Sequence, residues 1–132
     1  MTMTRYSAVA LAAALAFLSV SAPAIAMDGA KVFKKCKACH TLTGKNRVGP
    51  SLKGVIGRKC GAVTSYKYGK SYKEACKTRP FVIDAAFLET YLQNPSKKLT
   101  SILGKKSRSK MNFKLSKAGQ RASVIHFLTE QK

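Results

Sequence analysis

Gly29-Ala30-Lys31-Val32-Phe33-Lys34-Lys35-Cys36-Lys37-Ala38-Cys39-His40 is the stretch on which the reading of this chain turns. A Cys-x-x-Cys pair alone serves redox motifs, zinc sites and disulfides alike. A histidine directly after the second cysteine narrows the reading to covalent attachment of a c-type haem. Asp28 is placed to cap a helix whose first turns hold Val32 and Phe33. On such a helix positions 36, 39 and 40 share one face. Cys36 and Cys39 can then add to the two vinyl groups while the His40 imidazole comes up under the iron. The rival uses fit less well. A thioredoxin-like site needs a strand before the motif, and the lysine-rich Lys31–Lys35 stretch is not one. A zinc site needs four ligands, and Cys36, Cys39, His40 and Cys60 are irregularly spaced for it.

The 132 residues make a one-domain length, but the chain divides in two. Residues 1–26 carry Arg5, an apolar run from Ala8 to Val20, and Ala24-Ile25-Ala26. Those are the three regions of a cleaved secretory signal peptide. An uncleaved membrane anchor is the alternative, but the run is shorter than the ~20 apolar residues a spanning helix needs. Residues 27–132 form the second part, a domain whose modest core would gain from a large apolar cofactor. Lys and Arg number 25 against 5 Asp and Glu, a net charge of +20. Such a balance says nothing of fold and much about association with acidic surfaces. Export argues against cytosolic nucleic acid, so an acidic protein surface is the expected partner, with at most peripheral membrane association.

Further segments follow the first in a recognisable order: Val48-Gly49-Pro50-Ser51-Leu52-Lys53-Gly54, Ile56-Gly57-Arg58, Leu88 to Pro95, Lys110-Met111-Asn112-Phe113, and a C-terminal stretch ending Val124-Ile125-His126-Phe127-Leu128. Together they resemble class I cytochromes c over nearly all of 27–132, in the bacterial, exported, single-haem form related to mitochondrial cytochrome c. The resemblance implies an all-α fold in which N- and C-terminal helices cross and the haem lies in the core. Gly29 and Phe33 would form one half of that crossing, Val124 and Phe127 the other. Helices are expected near 28–40, 71–76, 84–93 and 116–130. Asp84 caps the third, with Ile83 and Leu88 as its hydrophobic staple, and Asn94-Pro95 ends it.

The family pairs the histidine with a methionine, which raises the potential. Beyond the leader only Met27 and Met111 remain, and Met111 sits in a polar segment where core filling does not explain it. His40 and Met111 are therefore the expected iron ligands; the spacing of Val124, Phe127 and Leu128 turns His126 to solvent. By resemblance Pro50 offers its carbonyl to the proximal imidazole. Arg58, Tyr68 and Ser109 fall near a haem propionate, and Tyr91 matches a tyrosine that bonds the methionine sulfur, unless it simply packs with Leu88 and Leu92.

Three departures stand out. There is no Trp, and Phe81 takes the place of a propionate donor; phenylalanine cannot donate. The approach to Met111 runs from Ser96 to Lys110 without proline, so a longer loop closes at higher entropic cost. The Met–iron bond is then weakened, and Lys110 or Lys106 displaces it at high pH. Finally, Cys60 and Cys76 enclose Gly61–Ala75. A disulfide there would stabilise by about 3 kcal/mol in the chain-entropy model, and an exported compartment favours it over free thiols or an intermolecular link.

Lys34, Lys35, Lys37, Lys53, Lys105, Lys106, Arg108, Lys110 and Lys114 crowd the segments expected to border the haem. A solvated face is the plain explanation; a positive ring that steers docking onto an acidic partner is the functional one. The leading expectation is a monomeric periplasmic one-electron carrier rather than an enzyme. Its donor would be a periplasmic dehydrogenase or cytochrome bc complex, its acceptor a terminal oxidase. A ligand-binding or peroxidatic haem protein, and a haem module docked permanently to a larger enzyme, are the alternatives.

Overall fold

The structure, a computed structural model, describes residues 28–132. The leader 1–26 and its boundary with the domain lie outside the described residues. Five helices and one short ribbon follow in order: α1 (Gly29–Phe33), β1 (Arg58–Lys59), α2 (Lys70–Thr78), β2 (Val82–Ile83), α3 (Ala85–Gln93), α4 (Pro95–Leu103) and α5 (Ala118–Thr129).

Asp28 caps α1 as the sequence suggests, its carboxylate accepting from the Ala30 and Lys31 amides. The regular helix is shorter than the expected span to residue 40. Beyond Phe33 it tightens into turns, in which Cys36 N–H donates to the Phe33 carbonyl and Cys39 N–H to Cys36. The His40 amide returns to the Cys36 carbonyl at 2.9 Å. A helical turn therefore still carries the two cysteines and the histidine, although the α-helix proper has ended.

Helix α1 crosses α5 at Gly29. A Cβ there would stand 2.2 Å from the Ser123 carbonyl oxygen and 2.6 Å from Phe127 Cβ, so only glycine permits this approach. Phe33 and Phe127 seal the crossing with ring centroids 5.3 Å apart. Phe33, Pro95, Leu99 and Val124 are the largest wholly buried side chains, and the core runs between α1, α3, α4 and α5. Helix α3 begins at Asp84, whose carboxylate accepts from Phe87 N–H at 2.7 Å.

Two elements go beyond the expected all-α outline. β1 pairs antiparallel with β2, Arg58 opposite Ile83 and Lys59 opposite Val82; two residues per strand are too few for a period-2 signal. Helix α4 occupies much of the stretch expected to be a loop. Asn94 ends α3 and also starts α4, its side chain accepting from Lys97 N–H while Pro95 takes the first turn. Gly104, with φ 65, closes the helix in the left-handed conformation. The free connection to Met111 is thus short. An ion pair with a buried arginine ties α5 to α3: Arg121 Nε and Nη2 lie 2.7 and 2.6 Å from Glu89 Oε1. The same guanidinium donates through Nη1 to the Leu115 and Ser116 carbonyls.

Candidate functional site

A mainly apolar cavity of about 440 Å³ lies among these elements, and Cys36, Cys39, His40 and Met111 all line it. Its volume falls within the range of cofactor sites. The His40 side is tightly built. Pro50 offers only a carbonyl, so the 2.7 Å contact is an Nδ1–H donation, and Nε2 is left with a free lone pair. Gly49 passes so close that a Cβ there would sit 2.2 Å from His40 Cε1. Its amide donates to the Cys39 carbonyl at 2.8 Å. Arg47 Nη1 donates to the Lys37 carbonyl, and the Tyr66 hydroxyl to Val48. Burial, the larger influence, lowers the His40 pKa against the opposing effect of the Pro50 bond. The ring is therefore neutral at pH 7, the form that ligates a metal.

Met111 comes from the segment after α4, where buried and exposed residues alternate: Ser107 and Ser109 inward, Arg108 and Lys110 outward. No strand pairs with it. Its amides instead donate to side-chain hydroxyls: Ser107 N–H to Thr100 Oγ1, Ser109 N–H to Ser96 Oγ, and Met111 N–H to Ser109 Oγ, at 3.0, 3.0 and 3.1 Å. Helix α4 is thus the shelf on which the methionine segment rests. Sequence reasoning missed this, although Asn94-Pro95 followed by Leu99 and Gly104 carries a helix start, an apolar position and a helix stop.

The remaining expected residues divide. Arg58, Tyr68, Tyr91 and Ser109 all line the cavity. Arg58 is spent on the backbone, donating to the Ser51 and Lys53 carbonyls. The Tyr68 hydroxyl accepts from Val63 N–H. Tyr91 has Ser109 Oγ as its partner at 3.1 Å rather than the methionine sulfur, so it reaches Met111 through the serine. Burial raises the pKa of Tyr68, Tyr72 and Tyr91, keeping all three protonated. Phe81 stacks on Phe87 with centroids 4.4 Å apart and meets Tyr72 edge-on, packing behind two wall residues without donating. His126 is exposed. Cys60 and Cys76 are brought close together: a Cβ on Gly61 would stand 3.7 Å from the Cys76 sulfur. Among the described residues no group of three or more His, Cys, Asp and Glu is arranged to hold a metal ion.

The donor set fits a c-type haem. Two thiols three positions apart suit thioether attachment, a neutral imidazole with its far nitrogen free suits the iron, and the walls are otherwise apolar. A Met thioether is available on the same cavity. Among the described residues no helix is long and apolar enough to cross a membrane.

Comparison with family models yields no match. Curated relatives are clearer. Cytochrome c-550 of Paracoccus versutus is 34% identical over 92% of this chain and 88% of its own length. Cytochrome c2 of Rhodospirillum rubrum is 40% identical over 78% and 94%. Among solved structures, ferricytochrome c2 of Rhodopseudomonas palustris superposes with a TM-score of 0.73 at 35% identity, over 80% of this chain and 96% of that one. Fold, attachment motif and kinship agree: the chain belongs to the class I c-type cytochromes, beside cytochromes c2 and c-550, and is an electron carrier with one covalent c-type haem on Cys36 and Cys39.

Proposed function

We propose that this cytochrome is a soluble, monomeric periplasmic carrier whose haem takes His40 and Met111 as axial ligands and whose lysines dock it to acidic redox partners. One observation carries the reading: two separately braced soft donors, His40 held by Pro50 and Met111 held by Ser109, line one apolar cavity. His/Met ligation supplies a one-electron couple of raised potential. The residues of this chain hold the two ligands in place through oxidation and reduction, and the apolar walls keep water away. Nothing here turns over a substrate. The propionates would meet Arg58, Tyr68 and Ser109, with Tyr91 bracing Met111 through Ser109. Cys60 and Cys76 form a disulfide in the oxidising compartment to which residues 1–26 direct the chain.

The charge distribution supports steering. Asp28, Asp84 and Glu89 are engaged as two caps and one ion pair with the buried Arg121, and Glu74 lies 2.5 Å from Lys105. Lys34, Lys37, Lys53, Lys106, Arg108 and Lys114 are exposed, and Lys35 and Lys110 border the cavity. A positive surface of this kind speeds encounter with an acidic donor, a periplasmic dehydrogenase or cytochrome bc complex, and with a terminal oxidase as acceptor. Absorption spectra of the oxidised and reduced protein test the reading. A Met–iron charge-transfer band in the ferric form, and no rapid carbon monoxide binding by the ferrous form, are expected. Prompt carbon monoxide binding would mean an open iron and overturn the ligand assignment.

A further inference from the structure

The stretch between Cys60 and Cys76 contributes Tyr66, Tyr68, Gly69 and Tyr72 to the cavity wall. Its two ends approach each other: a Cβ on Gly61, the residue next to Cys60, would stand 3.7 Å from the Cys76 sulfur, and Cys60 is among the groups that raise the Cys76 thiol pKa, after burial. Cys60 is anchored from behind, its N–H donating to the Phe81 carbonyl at 2.9 Å. Cys76 lies on α2, one turn beyond the buried Tyr72.

The same stretch grips the residue next to Met111. The Lys110 ammonium donates to the Lys67 carbonyl at 2.9 Å and lies 4.6 Å from the Tyr66 ring centroid. Gly69 packs beneath it so tightly that a Cβ would come within 2.9 Å of Lys110 Cβ. The segment bearing Met111 is therefore held on one side by hydroxyls of α4 and its own Ser109, and on the other by the stretch that the two cysteines bracket.

We propose that Cys60 and Cys76 close a covalent clamp that holds the 61–75 stretch against Lys110 and so keeps Met111 on the cavity wall. Its role toward the iron rests on the reading of Met111 as ligand. Closure joins the two sulfurs and releases two protons and two electrons. A disulfide of a thiol–disulfide oxidoreductase accepts them and is reduced to two thiols. Burial raises the Cys76 thiol pKa above its ordinary range, which disfavours its thiolate in the folded chain.

Hydrogen exchange in the haem-loaded protein tests the clamp through the Ser107, Ser109 and Met111 amides. In Cys60→Ser/Cys76→Ser these amides are expected to exchange about fivefold or more faster, the loss of one supporting contact, while those in the middle of α5 stay unchanged. Lys110→Ala should have the same effect, and combining all three substitutions should add nothing, because both act along one path. Unchanged exchange in the cysteine variant, or fully additive effects, would overturn the clamp. So would alkylation of both cysteines in untreated protein. If the serine variant does not load haem, the native protein before and after phosphine reduction gives the same comparison. The ferric Met–iron band is read separately in the wild type: its absence removes the ligand reading while the exchange data still judge the clamp.

Discussion

At the scale of single residues, the proximal side is decided by what a glycine omits. Gly49 leaves the space into which the His40 ring fits, and His40 cannot retreat while Pro50 holds its Nδ1. Gly49→Ala is expected to cost about 2–3 kcal/mol, the upper range for overpacking, seen as a lower thermal midpoint of the haem-loaded protein. Ser109 has the corresponding role for Met111, accepting its amide and meeting Tyr91. Ser109→Ala removes the acceptor of a partly buried N–H and should cost about 1–2 kcal/mol. Guanidinium titration followed by the Met–iron band should show that band failing before the Soret signal of His-bound haem changes.

At the scale of elements, α4 changes the account of the methionine side. Taken as an unsupported loop, residues 96–110 would weaken the Met–iron bond through closure entropy. With nine of the residues from Pro95 onward in a helix, the entropic cost falls on far fewer positions, and Thr100 and Ser96 hold what remains. Lys110, expected to compete for the iron in alkali, has its ammonium occupied by the Lys67 carbonyl and the Tyr66 face. Asn94 is the residue on which this arrangement starts, and Asn94→Ala should cost about 1 kcal/mol through the lost cap, measured by chemical denaturation. The junction of α3 and α5 is more demanding. Arg121 is 5% exposed, whereas the Glu89 side chain keeps 42% of its surface in water. Glu89→Ala would leave the guanidinium buried without its counter-charge, a loss of about 2–3 kcal/mol, discounted from a fully buried pair because Glu89 is half-solvated.

At the scale of the whole molecule, most of the acids serve the fold and most of the bases face outward. Four of the five acidic side chains cap a helix or pair with a base; among the described residues Glu130 has no such partner. Among the described residues the excess of basic side chains is therefore mostly presented to solvent rather than balanced within the fold. Bimolecular electron-transfer rates with an acidic partner should fall steeply as ionic strength rises through the range where the screening length shrinks to about 8 Å. A flat salt profile in stopped-flow measurements would show that the lysines only solvate the surface.

Attachment chemistry was legible from sequence because covalent haem binding demands adjacent residue types at fixed spacing, and Cys36 to His40 meet that demand without any long-range contact. The Asp28 and Asp84 caps were legible because each rests on local geometry, and the Gly29 crossing because the resemblance implied it; Met111 was singled out by a scarcity of alternatives, and it lines the cavity. What the tertiary structure decided are contacts between segments distant along the chain. The Ser96 and Thr100 hydroxyls on α4 receive amides that a sheet would otherwise pair, Tyr91 meets Ser109, and Arg121 finds Glu89 and two carbonyls. The contact of the 61–75 stretch with Lys110 belongs with these. Such contacts leave no periodicity in the sequence, because hydrogen bonds between distant segments depend on where the backbone has already been placed.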